Sequence, residues 1–216
     1  MKHLGFIWDI KRNFGRIGEK NIEERVSKFW AVIHALIKGG IRFCHPGTIV
    51  EMFNTLAVPT LIYGLELMTL SSNQMSYLDV EARKALKFLF NLSYYSKNYL
   101  HTFFNLDSVS TLIINNKLNL LSRLMQNDIT RDVIISLLKS KPTYQSFTQE
   151  CYEITEENRL NFSNILLNIK SERIRTIQKE IPINEKMQLD NYINFWNVKE
   201  ARKHFKELME RKIPAT

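Results

Sequence analysis

The stretch KNIEERVSKFWAVIHALIKGG, residues 20–40, decides the fold class. Ile22, Val26, Phe29, Ile33 and Leu36–Ile37 recur at spacings of three and four, which lines apolar side chains along one face of an α-helix. Gly39-Gly40 gives the stop, because glycine takes the left-handed conformation that closes a helix C-terminus. Pro46 suits the first turn of the next helix, which carries Ile49, Phe53, Leu56 and Ala57. Pro59 is expected to kink or end that helix, since it lacks the amide donor and clashes one turn back. Leu61-Ile62-Tyr63-Gly64 then reads as buried on several sides.

The same periodicity continues outward. Ser71-Ser72-Asn73 is a capping cluster ahead of a helix over about 73–91, with Leu78, Ala82, Ala85–Leu86 and Leu89 on the apolar side and Lys84 and Lys87 elsewhere. Ser93 to Asn98 is a polar, aromatic loop. Helices over 108–127 and 129–139 follow, and Lys141-Pro142 breaks the pattern. Beyond it, Phe162, Ile165–Leu166 and Ile169 keep helical spacing, with Pro182 as a boundary. Toward the N-terminus, Leu4, Phe6 and Trp8 alternate with Gly5, Ile7 and Asp9, the pattern of a short extended segment. The expected architecture is mainly α: a short N-terminal β segment over 1–14, a helical bundle over 15–140 and a mixed-charge helical tail over 141–216 around a thinner core.

Composition bounds the function. The chain has 216 residues and 44% hydrophobic residues, enough for a core without disulfides and too apolar for a disordered chain. Seven Gly and five Pro argue against a many-turned β-sandwich. The formal charge is +8, with most of the excess before residue 142, which suits an anionic partner. Cys44 and Cys151 are far apart and form no disulfide framework. The apolar run Leu56–Leu70 falls short of a membrane span and holds Pro59, Gly64 and Glu66, so a soluble intracellular protein, nuclear or cytoplasmic and without a membrane role, is expected.

Catalytic patterns are missing. His3, His34, His45, His101 and His204 form no His-x-x-x-His pair, and neither cysteine stands in a Cys-x-x-Cys spacing, so no metal site is expected. There is no Asp-Asp pair for two-metal chemistry and no Gly-x-Ser-x-Gly elbow. No catalytic residue is assigned. What remains is a set of cations interleaved with aromatics: Arg83, Lys84 and Lys87 on one helix, Tyr94, Tyr95, Lys97 and Tyr99 after it, and Lys38 and Arg42 around the Gly39-Gly40 turn. Such cations can neutralise phosphates and such tyrosines can stack on bases. The plainer reading of the same residues is a solvated face with core aromatics.

Two segments resemble a known family. His3-Leu4-Gly5-Phe6-Ile7-Trp8-Asp9 resembles the primer-grip hairpin of non-LTR (LINE-type) retrotransposon reverse transcriptases. Thr48 to Glu66 resembles the thumb of the same enzymes through Pro59, Leu61, Tyr63, Gly64 and Glu66, a Pro-x-Leu-x-Tyr-Gly-x-Glu pattern followed by a capping loop and a basic, aromatic helix. The resemblance spans about residues 3–128. It implies a thumb-like bundle that grips an RNA–DNA template–primer duplex by its backbone. Arg83, Lys84, Lys87, Lys97, Lys38 and Arg42 are then phosphate contacts, and Leu4 and Gly5 the primer-grip turn. Pro59, Tyr63, Gly64 and Glu66 are structural under the same reading. The family's catalytic aspartates lie in the palm, N-terminal to the grip, and have no counterpart here. The resemblance therefore implies a C-terminal fragment inactive by itself, without the magnesium ligands of the complete enzyme, with a palm-containing chain as a further partner. The competing expectation is a helical protein–protein interaction module.

Overall fold

A computed structural model describes residues 2–3, 6–7, 14–139, 147–166, 174–176 and 180–210. The opening stretch forms most of α1 (Phe14–Lys38). Its end is set by Gly39, whose amide donates to Ala35 O at 2.9 Å, and by Gly40 at φ 84°, a conformation that a Cβ disfavours. The other helices are α2 (Pro46–Met52), α3 (Val58–Ile62), α4 (Ser72–Leu89), α5 (Tyr99–Phe103), α6 (Val109–Gln126), α7 (Asp128–Lys139), α8 (Phe147–Glu157), α9 (Phe162–Leu166), α10 (Ile183–Asn194) and α11 (Lys199–Glu210). The protein is mainly α, as the periodicity predicts. Among the described residues the one β pairing is Lys2–His3 with Phe6–Ile7, antiparallel and two residues a side.

Capping explains several boundaries. Ser71 and Gln74 form a reciprocal box: Ser71 Oγ accepts from Gln74 N at 3.3 Å, and Ser71 N donates to Gln74 Oε1 at 2.9 Å. The His45 ring accepts from Gly47 N at the start of α2, with Pro46 in the first helical position. Asn127 Oδ1 accepts from Ile129 N and Thr130 N ahead of α7.

Pro59 does not end its helix. A π-helical segment, Phe53–Ala57, precedes it, and the chain continues as α3 to Ile62. The wider turn shifts the ladder, so that Val58 N donates to Phe53 O, five residues back. Thr60 Oγ1 takes up Leu56 O and Thr55 Oγ1 takes up Glu51 O, both at 2.8 Å. The run Pro46–Leu67 is in consequence long and apolar enough to cross a bilayer by length and composition, although 44% of its most apolar stretch is buried in the fold.

The chain divides into two compact units, neither continuous in sequence. The first comprises Met1–Ile22, Ile62–Met75 and Val109–Arg175. Its core is Leu118 and Leu121 of α6, Ile134 of α7, Cys151 of α8 and Ile165 of α9, with Ile114, Met125, Phe147 and Phe162 packed against it. Lys117 of α6 is also buried, at 1% exposure, and its ammonium donates to Met68 O at 2.8 Å and to Glu150 Oε1 at 2.5 Å. Glu150 Oε2 accepts from the Thr69 hydroxyl, so the carboxylate is held on both oxygens. The Asn115 amide brackets Ile174, giving to its carbonyl at 2.9 Å and accepting from its amide at 3.0 Å.

The second unit comprises Glu23–Leu61, Ser76–Ser108 and Thr176–Thr216. Phe29 and Ile33 of α1, Ile49 of α2, Phe53 and Ala57 of the π segment, and Leu78, Ala85, Leu86 and Leu89 of α4 are buried there. Full burial of each large side chain contributes about 1.5–3 kcal/mol. A second, aromatic cluster joins Phe90 and Phe104 to Trp196 and to Phe205 of α11, with ring centroids 5.2–6.1 Å apart. Residues 180–210 thus share a core with the α4–α5 region, and residues 147–166 belong to the first unit.

Three burial expectations need correction. Leu56, expected inside, is 47% exposed, and Tyr63 is 56% exposed. The π segment widens the turn that carries Leu56, and Gly64 turns the chain at φ 75° directly after Tyr63. Lys87, expected away from the apolar side of α4, is buried at 7% exposure.

Candidate nucleic-acid interface

The candidate surface lies within the second unit and is built from two helical stripes. On α1, Trp30, His34 and Lys38 stand four residues apart, so they share a face. On α4, Tyr77, Glu81, Lys84 and Phe88 recur at spacings of three and four. The stripes meet through aromatic edges. Phe88 lies 5.9 Å from Trp30 and 5.6 Å from His34, both edge-on. Trp30 Nε1 donates to Glu81 Oε2 at 2.8 Å. Glu81 is buried, and its other oxygen accepts from Lys84 Nζ at 2.6 Å. That hydrogen bond raises the Lys84 pKa above its ordinary value and keeps the ammonium charged.

Arg42 closes one end of the surface. Its guanidinium sits over the Phe88 ring at 4.7 Å and donates to Phe88 O at 2.7 Å, fixing the orientation of its fork. Lys38 is exposed at the end of α1. At the other end Tyr94 and Tyr95 stand out of the loop after α4. Their rings are 5.3 Å apart and nearly perpendicular, and Lys84 Nζ lies 5.6 Å from the Tyr94 centroid. Cations and exposed rings therefore alternate along one surface, the arrangement that serves phosphate and base contact.

The six sequence-predicted phosphate contacts fare differently. Lys38, Arg42 and Lys84 lie on this surface. Arg83, also on α4, is half-buried. Lys87 points inward: its ammonium donates to Tyr94 O at 2.9 Å and Ser96 O at 2.5 Å, and burial, with Arg83 nearby, lowers its pKa. Lys97 is nearly as enclosed, with a side chain 7% exposed and its ammonium 2.9 Å from each oxygen of Glu185. Both lysines hold the loop from beneath.

Of the family-pattern residues, Pro59 is exposed within its helix, Gly64 is buried at positive φ, and Glu66 is half-buried in a short 3-10 turn, Leu65–Leu67. Leu4 and Gly5 lie outside the described residues. The notable omissions are Trp30, His34 and Phe88. The spacing in the sequence carried them: positions 30, 34 and 38 with 77, 81, 84 and 88 are legible as paired stripes once both helices are drawn.

Two titratable groups elsewhere are strongly shifted by burial. Cys151 is buried and its thiol is pushed up to about 12 by that burial, which keeps it protonated and inert. Burial, with Arg83 next in effect, pushes the His101 imidazole down to about 4, leaving it neutral at pH 7. Among the described residues no group of three or more His, Cys, Asp or Glu side chains is placed to hold a metal ion. No protein-family model, curated protein or solved structure matches the chain.

Proposed function

We propose that the protein binds nucleic acid through the α1–α4 surface of its second unit, contacting backbone phosphates with Lys38, Arg42 and Lys84 and sugars with Trp30, His34, Phe88 and Tyr94. The observation that carries this reading is the interleaving of cations and rings on one surface, with Arg42 anchored on Phe88 and Lys84 beside Tyr94. Preorganised cations of this kind lose little side-chain entropy on meeting a phosphate. The resemblance of residues 3–128 to a reverse-transcriptase thumb makes an RNA–DNA duplex the substrate class, read by shape and backbone and not by sequence. Under the same resemblance Leu4 and Gly5 correspond to the family's primer-grip residues. The chain contributes binding and not catalysis, and a palm-bearing chain supplies the chemistry.

The test is fluorescence anisotropy with a labelled RNA–DNA hybrid, titrated at several salt concentrations. Arg42→Ala and Lys38→Ala each weaken binding across unrelated sequences to a similar degree. No affinity at low salt overturns the proposal.

One observation favours the helical interaction module as a second reading. Phe43, Met52 and Leu56 are exposed apolar residues at 82%, 37% and 47%, with Met52 and Leu56 four apart on one helical run. Sedimentation that shows self-association indifferent to salt, lost in Leu56→Glu, would favour it over nucleic-acid binding.

A further inference from the structure

The loop between α4 and α5 combines two properties that seldom coincide: a backbone tied down at many points and side chains left in solvent. Two of its carbonyls, Tyr94 O and Ser96 O, converge on the buried Lys87 ammonium. Ser93 N donates to Glu210 Oε1 at 3.1 Å, and Lys97 N donates to Met209 O at 2.8 Å, so α11 holds both ends. The Lys97 ammonium grips both oxygens of Glu185 on α10 and lies 5.1 Å from the Tyr99 ring. A loop that served only to connect α4 and α5 needs none of this. Yet Tyr95 is 91% exposed and Tyr94 56% exposed. Burying such rings against the aromatic cluster of Phe90, Trp196 and Phe205 would have been favourable.

The two rings stand nearly perpendicular, at 81°, so they present faces in different directions. Tyr94 has cations over its ring, Lys84 Nζ at 5.6 Å and Lys87 Nζ at 6.0 Å from the centroid. Tyr95 has open solvent around it. A duplex offers flanking phosphates and sugars but hides its base faces inside the stack. An unpaired nucleotide offers both a phosphate and a free π-face. A ring on a fixed backbone has already lost the freedom that stacking would otherwise remove, which favours binding over a mobile loop tyrosine.

We infer that Tyr95, braced edge-on by Tyr94, is a stacking platform for an unpaired base, such as the first single-stranded nucleotide beyond a duplex end, with Lys84 meeting its phosphate and with Lys87, Lys97, Glu185 and Glu210 as the positioning residues that hold the platform. This deepens the proposed nucleic-acid reading and rests on it for Lys84 and the neighbouring surface. It also gives residues 180–210 a role, since α10 and α11 carry two of the positioning carboxylates.

The experiment compares three labelled probes: a blunt RNA–DNA hybrid, the same hybrid with a short unpaired template overhang carrying 2-aminopurine at its first position, and a single strand. The expected result is tighter binding of the overhang probe than the blunt one, with a change in 2-aminopurine fluorescence. Tyr95→Ala lowers affinity for the overhang and single-stranded probes about ten-fold and leaves the blunt hybrid within two-fold. Tyr95→Phe restores both the affinity and the fluorescence change. Because Tyr95 is exposed, neither variant disturbs the core. Equal binding of blunt and overhang probes, with Tyr95→Ala indifferent on both, overturns the platform and leaves the duplex-binding reading standing. Single-strand binding lost in Tyr95→Ala, with no hybrid bound, supports the platform and overturns the duplex reading. No binding of any probe at low salt overturns both.

Discussion

Replacing Lys87 by Met tests whether this buried ammonium is what shapes the loop after α4. Methionine preserves the packing of the methylene stem and removes the charge. Two acceptors then lose their donor. Tyr94 lies at the surface, so its carbonyl rehydrates at little cost. Ser96 is buried, at 5% exposure, so its carbonyl is orphaned. An orphaned buried acceptor costs about 1–3 kcal/mol, and hydrogen bonds to charged groups contribute about 1.5–3 kcal/mol each. Burial of the ammonium opposes this and lowers the lysine pKa, so part of the loss is recovered when the charge is removed. The net expectation is a destabilisation of about 2–3 kcal/mol. For a chain of this size that lowers Tm by roughly 4–12 °C. The assay is thermal unfolding by circular dichroism, paired with hydrogen exchange at the amides of Ser96 and Lys97, which donate to Ser93 O and Met209 O. Those two amides should exchange faster, while Ile33 and Leu86, in the helical core, stay protected. An unchanged Tm with unchanged exchange at Ser96 and Lys97 refutes the reasoning, because the ammonium would then be supporting nothing.

Two further outcomes follow from buried titratable groups. His101 has its imidazole lowered from 6.5 to about 4, chiefly by burial, so the unfolded chain takes up a proton at pH values where the folded chain does not. Stability is therefore full above about pH 6.5 and falls as pH drops toward 4, by roughly 3 kcal/mol at 1.36 kcal/mol per pH unit; urea unfolding across pH 4–7.5 should show that slope flattened in His101→Gln. Lys117 and Glu150 form a buried pair in the first unit, so Lys117→Met should cost about 3–5 kcal/mol by leaving the carboxylate unmatched. Adding Glu150→Leu should return much of that loss, and a double variant no more stable than the single one counts against the pair.

The helices were legible because their signals are local. The 22-26-29-33 spacing, Gly39-Gly40, Pro46 and the Ser71-Ser72-Asn73 capping cluster each act within a turn or two, and a helix boundary is found at each; within the cluster it is Ser71 that caps, in a box with Gln74 that the cluster alone does not specify. Pro59 is expected to kink or end its helix and does not end it, because its cost depends on neighbours: the π turn ahead of it shifts the backbone ladder and lets the helix run on to Ile62. The lysines were hardest to read. Lys84 and Lys87 are one turn apart, yet the first flanks a tyrosine at the surface and the second lies beneath the loop. The difference arises from the return of the chain through Tyr94 and Ser96, which supplies carbonyls to one ammonium and not to the other. No propensity at position 87 encodes that. The shared aromatic cluster of Phe90, Phe104, Trp196 and Phe205 was hidden for the same reason, since its members are up to 115 residues apart.

Net charge overstates what a ligand can reach, and this sets a quantitative limit on the proposed interface. The chain carries +8, but Lys87, Lys97 and Lys117 are turned to internal acceptors, and Lys28 is paired with Glu24 at 2.7 Å. On the α1–α4 surface Lys38, Arg42 and Lys84 are the cations placed for phosphate, and Lys84 already shares its charge with Glu81. Each phosphate neutralised contributes about 0.7–0.9 to the slope of log affinity against log salt. Three cations therefore give a slope of about −2 to −3, and Arg42→Ala should make it shallower by just under one. A slope near −6 would require twice as many phosphate contacts as this surface holds. That result would place the interface elsewhere on the protein even if binding itself were confirmed. A slope of the expected size, reduced in Arg42→Ala and unchanged in Lys97→Ala, would tie the affinity to the cations that the fold leaves facing outward.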